Sequence, residues 1–143
     1  MSDAQQQKTI IKPLNRDSMV ERLRVFAHRV LNLCGLLKGS YDKVTVGQQL
    51  FRCATSVAVR YRVAQHAIST KDFLNKMKVC EEEADETCYW LQLLVDGGIV
   101  ASSRMNSIIQ EANEIAAIIS ASCITARAHL KSQASPKTRA YKK

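Results

Sequence analysis

The sequence predicts an all-α protein, an antiparallel up-down-up-down four-helix bundle. Three observations lead there. Apolar residues recur every three or four positions in four separate segments, the spacing of one face of a helix. Aromatic residues make up only 6% of the 143-residue chain, so apolar packing falls to Leu, Ile, Val and Ala on helices. The links between the segments are short and carry Gly or Ser, which makes consecutive helices antiparallel neighbours. A chain of this length fits one domain with one core.

The first helix is expected to open at Ser18, where Ser18-Met-Val-Glu21 reads as a capping box. Its buried stripe is Leu23, Phe26, Ala27, Val30, Cys34 and Leu37, and Gly39-Ser40 closes it. A second capping box, Thr45-Val-Gly-Gln48, starts a helix running to about Ala67. Its core stripe is Leu50, Cys53, Val57, Tyr61, Ala64 and Ile68, within a narrow arc.

The third helix occupies the stretch Ser69–Val100 and is the most informative. Ser69 or Thr70 can cap its first amides, with Asp72 placed to help. The inward set is Phe73, Met77, Cys80, Ala84, Thr87, Cys88, Leu91 and Leu94. Gly97-Gly98 stops it, since glycine takes the left-handed conformation common at helix C-termini. A fourth helix starts at Ser102 or Ser103 and runs to about Lys131. Met105, Ile108, Ile109, Ala112, Ile115, Ala116, Ile119, Cys123 and Ala126 face inward, and Ile118 and Ile124 widen that arc. The bundle therefore spans residues 17–131, between a flexible N-terminal segment (1–16) and a flexible basic tail (132–143).

Bulk properties narrow the function classes. No apolar run approaches the roughly 20 residues needed to span a bilayer, and MSDAQQQKTIIKP lacks a segment of signal-peptide character. A cytoplasmic protein is expected, without membrane association. Five cysteines, Cys34, Cys53, Cys80, Cys88 and Cys123, form no C-x-x-C pair. They fall on or near apolar faces, where reduced Cys acts as a small hydrophobe. The acids Glu81, Glu82, Glu83, Asp85 and Glu86 do not make a di-iron site. Such bundles need E-x-x-H pairs, and none occurs. Neighbouring residues also diverge by about 100° around a helix. The run is read as a solvated or interface-pairing face, with Lys78 and Glu82 forming an i,i+4 pair. Without a Gly-rich phosphate loop, nucleophile elbow or Cys–His signature, neither enzyme activity nor a cofactor is expected.

Charge is the positive signal. The net formal charge is +8, and from Arg127 to the C-terminus the cations Arg127, Lys131, Lys137, Arg139, Lys142 and Lys143 meet no acid. Such a segment releases counterions from a polyanion without a fixed site. On the second helix Arg52, Thr55, Val59, Arg62 and His66 share one outward arc, with Arg60 to one side. That line suits phosphate contacts. Alternatively, it pairs with the acidic third helix of a neighbouring subunit. Tyr89 and Trp90 invite base stacking, but a packing or oligomer role is preferred, alongside Tyr61, Phe73, Met77 and Leu91.

The third helix, KDFLNKMKVCEEEADETCYWLQLL at Lys71–Leu94, resembles the pattern ADFxxKMxIVEEEADExxYWLxLL of one bacterial family. That family comprises four-helix-bundle proteins related to large-subunit (23S) ribosomal RNA intervening-sequence proteins. Arg52, Thr55, Ser56, Val57, Tyr61, Arg62 and Ala64 match its second helix, where Ala58, Val59 and Arg60 replace a small-small-Asn triplet. The resemblance extends from Phe26 to Val100. Its relatives are similar to the accessory variability proteins of diversity-generating retroelements. The resemblance therefore implies a homo-oligomer (a homopentameric barrel), association with nucleic acid and a reverse transcriptase, and no catalytic residues.

The functional expectation is a non-enzymatic, homo-oligomeric protein that binds RNA or DNA by electrostatic backbone contacts. Its competitor is a protein-interaction scaffold whose client is a polypeptide such as a reverse transcriptase.

Overall fold

The computed structural model describes residues 16–140, with side chains from Ser18 to Ala134. These residues form four helices, α1 (Arg16–Gly35), α2 (Tyr41–Ala64), α3 (Thr70–Asp96) and α4 (Ser102–Ala140). No strand occurs among them. α3 packs extensively on both α2 and α4, α1 packs on α2, and the α1–α4 seam is sparse.

All four helices feed one core. Leu23 and Val30 from α1, Leu50 and Val57 from α2, Met77 and Leu91 from α3, and Ile115 and Ile119 from α4 are buried in one cluster. Each such side chain contributes roughly 1.5–3 kcal/mol on burial. Thr87 is the buried polar residue, and its hydroxyl donates to the Glu83 carbonyl at 2.7 Å.

The third helix starts and stops as its sequence indicates. Ser69 Oγ accepts from the Asp72 amide at 3.0 Å, and Asp72 Oδ2 accepts from the Ile68 amide at 3.1 Å. The box satisfies two amides that would otherwise lack helical partners. The Lys76 ammonium, then the Ile68 amide, hold the Asp72 carboxyl below its ordinary range. At the other end Gly98 has φ +69, with Gly97 still near helical geometry.

Other boundaries differ from expectation. α1 begins at Arg16, so Ser18 lies inside it, and the Glu21 carboxylate binds Arg24 at 2.6 Å. It ends at Gly35, and the chain turns through Leu36 and Leu37 before Gly39. α2 starts at Tyr41, not Thr45. Gly39 at φ +91 breaks the chain, and extended Ser40 caps the Lys43 amide at 3.4 Å. Gly47, read as part of a helix start, is a buried position within α2. A Cβ there would stand 3.4 Å from Leu37 Cδ1, in ordinary van der Waals contact. α2 also ends earlier, at Ala64, with the Gln65 side chain donating to the Tyr61 carbonyl at 3.0 Å. Ile68 therefore leaves the predicted core stripe for the connecting turn, where it is 93% exposed. Ile124 is exposed and Ile118 half-buried.

α4 continues to Ala140, beyond the end expected near Lys131. The sequence after Arg127 contains no glycine, and cations suit the negative end of a helix dipole. The N-terminal segment expected to be flexible lies outside the described residues up to position 15, as does the end of the tail from 141.

Candidate nucleic-acid interface

Arg52 stands on the outward arc of α2, but its charge is already engaged. Its guanidinium reaches Glu83 at 3.1 Å and Glu86 at 2.6 Å on α3. The Trp90 indole N–H donates to the same Glu86 oxygen at 3.1 Å. That indole N–H, then Arg52, holds the Glu86 carboxyl below the usual range, and the Glu86 hydrogen bond raises the Arg52 guanidinium in turn. Of the arginine line, only Arg52 thus pairs with the acidic third helix inside the chain, among the described residues. Arg127 has a looser partner, Glu81 at 3.8 Å. Thr55, on the same arc, donates its hydroxyl to the Phe51 and Arg52 carbonyls.

The remaining cations are differently placed. Arg60 donates to the Ser56 hydroxyl at 2.9 Å and meets no carboxylate among the described residues. Arg62, His66 and Lys131 are exposed. Lys71 and Lys78, which the sequence reading left out of the site, are exposed too. Lys78 and Glu82 do not form the expected i,i+4 pair; both are exposed. Lys137 and Arg139 lie in the last turns of α4 with side chains outside the described residues, and Lys142 and Lys143 lie outside the described residues altogether.

A further ion cluster escaped the sequence reading. Arg22 on α1 binds Glu111 and Glu114 on α4, and the bond to Glu111 chiefly raises its guanidinium. The i,i+3 spacing of those glutamates was visible; the partner's register was not.

Residues assigned to packing divide into three sets. Met77 and Leu91 are fully buried, and Tyr61 nearly so. Phe73 and Trp90 are half-buried against the core. Tyr89 is 59% exposed, its ring edge-on to Trp90 at 5.3 Å. Two grooves flank α2. One, of about 540 Å³, runs along α3 and is lined by Val59, Arg60, Val63, Asn75 and Val79. The other, of about 360 Å³, runs along α1 and is lined by Leu31, Phe51, Ala58 and Arg62.

All five cysteines are unbridged thiols. Burial raises each of them, Cys80 to about 12. Among the described residues no group of three or more His, Cys, Asp or Glu side chains could hold a metal ion. No helix there is long and apolar enough to cross a membrane.

Comparison with curated proteins finds no match. Among solved structures, the chain is similar to a protein of unknown function from the S23 ribosomal protein family of Bacteroides thetaiotaomicron VPI-5482. Identity is 30% and the TM-score 0.68, covering 73% of this chain and 97% of the other. The family model described as 23S rRNA-intervening sequence protein matches residues 18–121, from the start of α1 to well into α4. With most of the bundle matched, the chain belongs to the 23S rRNA-intervening sequence protein family.

Proposed function

We propose that this protein is a non-enzymatic, homo-oligomeric accessory protein of the cytoplasm that binds nucleic acid through its phosphate backbone. In this reading its helices run up-down-up-down and its subunits close into a pentameric barrel. The course of the chain is supported by contacts that run in opposite senses along α1 and α4. Arg22 meets Glu111 and Glu114, and Arg29, further on, reaches Ser107 at 2.9 Å.

The observation that carries the binding reading is the division among cations. Arg22, Arg24, Arg52, Lys76 and Arg127 are matched by carboxylates. Arg29, Lys38, Lys43, Arg60, Arg62, Lys71, Lys78, Arg104 and Lys131 have no such partner among the described residues. In the antiparallel course Arg60, Arg62, Lys71 and Lys131 come to one end, with His66 and the acid-free run after Arg127, while Lys38, Lys43 and Arg104 fall at the other. Unmatched charge at one end of a rigid bundle is what a polyanion engages with little desolvation cost. The family's name makes 23S ribosomal RNA the first probe.

The test is RNA binding over a salt series. Affinity is expected to fall steeply as salt rises, through counterion release. Affinity that stays flat from low to moderate salt overturns the reading.

A second reading, a scaffold for a polypeptide such as the reverse transcriptase of a diversity-generating retroelement, draws on exposed apolar side chains. Val59 is 60% exposed and Ile124 61%, more than a phosphate-binding surface requires. Co-purification with such an enzyme that survives ribonuclease treatment favours it.

A further inference from the structure

We infer that copies of this chain meet head-to-tail, the outer face of α2 in one subunit receiving the acidic outer ridge of α3 in the next. This rests on the homo-oligomeric reading above and deepens it by assigning the two surfaces.

The first surface is an apolar strip without cover. Phe51, Val59 and Val63 recur at helical spacing on the outside of α2 and are 41%, 60% and 48% exposed. A helix that is apolar inside and partly apolar outside is built to be covered on both sides. The strip is edged by Arg60 on the α3 side and Arg62 on the α1 side, neither matched by a carboxylate among the described residues. The groove of about 540 Å³ beside Val59 and Val63 gives it depth.

The second surface has the opposite character. Glu82, Asp85 and Tyr89 lie one turn apart along the outside of α3, and all are exposed. Neither carboxylate has an ion-pair partner among the described residues. The inner acids of the same run, Glu83 and Glu86, are held by Arg52. The run is therefore split, Glu81, Glu83 and Glu86 serving the chain's own seams and Glu82 and Asp85 facing outward. Tyr89, 59% exposed, is the kind of rigid aromatic that anchors interfaces when seated in a groove.

Basic and apolar on one helix, acidic and aromatic on another: neither surface complements itself, and each complements the other. That excludes a two-fold contact through either surface alone. A reciprocal two-fold pairing of α2 with α3 satisfies the same complementarity; the pentameric reading above selects the heterologous arrangement, which closes into a ring when the rotation per subunit allows. The α2 arginines then belong to the subunit seam, leaving His66, Lys71, Lys131 and the C-terminal cations to the polyanion.

The test is native mass by mass photometry and sedimentation, with far-UV circular dichroism as the folding control. R60E/R62E and E82R/D85R are each expected to reduce the wild-type oligomer to single subunits. The quadruple variant carrying all four changes is expected to recover the wild-type mass, because the reversed surfaces again complement. Val59→Asp, at an exposed position, is expected to dissociate the oligomer, and R60K/R62K to keep it. A wild-type oligomer whose mass ignores both reversals, or a folded quadruple variant that stays dissociated, overturns the surface assignment alone. A wild-type protein that is a single subunit at all concentrations overturns the homo-oligomeric reading as well.

Discussion

Arg52 and Glu86 join α2 to α3 through a 2.6 Å ion pair whose acceptor oxygen also takes the indole hydrogen of Trp90. Two donors on one carboxylate oxygen favour the ionised form. The sign for stability follows. A carboxyl lowered in the folded state contributes stability above its unfolded value, and the contribution disappears as pH falls through the folded one. The thermal midpoint is therefore expected to fall on acidification below the ordinary glutamate range, with Glu86→Gln removing part of that dependence. Thermal melts across pH check this. The partners' exposure keeps the effect below that of a core truncation.

Ser69→Ala is expected to destabilise by about 1 kcal/mol, the usual cost of losing an N-cap. Thr45→Ala, inside α2 and away from any cap, is expected to fall within about 0.5 kcal/mol of wild type. Urea titration of both variants distinguishes a helix starting at Tyr41 from one starting at Thr45.

Leu91→Ala empties a fully buried position and is expected to cost about 2–5 kcal/mol. Ile68→Ala removes a side chain that is 93% exposed and is expected to change stability by less than about 0.5 kcal/mol. The same denaturation experiment reads both.

Thiol labelling at neutral pH is expected to spare Cys53, Cys80 and Cys123, which are buried. Half-buried Cys34 and Cys88 react slowly, since burial also raises their thiols. Denatured protein is expected to label at all five. Rapid labelling of Cys80 in folded protein contradicts its place in the core.

Ending the chain at Ala134 removes Lys137, Arg139, Lys142 and Lys143. Each phosphate contact adds roughly 0.7–0.9 to the slope of log affinity against log salt, so the slope is expected to flatten by as much as ~3. Binding isotherms for RNA and duplex DNA at several salt concentrations measure it.

Features encoded within one turn of chain were legible beforehand. Ser69, Asp72 and the Gly97-Gly98 pair mark α3 by local chemistry, and the buried set from Met77 to Leu94 follows from spacing alone. Ile68 misled because it continues the α2 stripe in register, while the helix itself ends at Ala64. Thr45 misled because Thr-x-x-Gln matches a capping box, whereas the break is at Gly39, whose positive φ no side chain advertises. The site was less legible than the fold. Arg52 reads as a phosphate contact or as a partner for a neighbouring subunit's α3 until its own α3 is laid beside α2, and Glu83 and Glu86 then claim it. Arg22 likewise meets Glu111 and Glu114 across a separation that no spacing rule reaches. Pairing between helices depends on register, which periodicity within each helix does not specify.

The unequal seams have a mechanical outcome. α1 packs on α2 but touches α4 sparsely, where Arg22 with its two glutamates and Arg29 with Ser107 clasp the seam. Partial opening begins where burial is least. The amides of α1 are accordingly expected to exchange with solvent ahead of those in α3 in a hydrogen-exchange measurement, the molecule unlatching along one edge while the α2–α3–α4 slab stays shut.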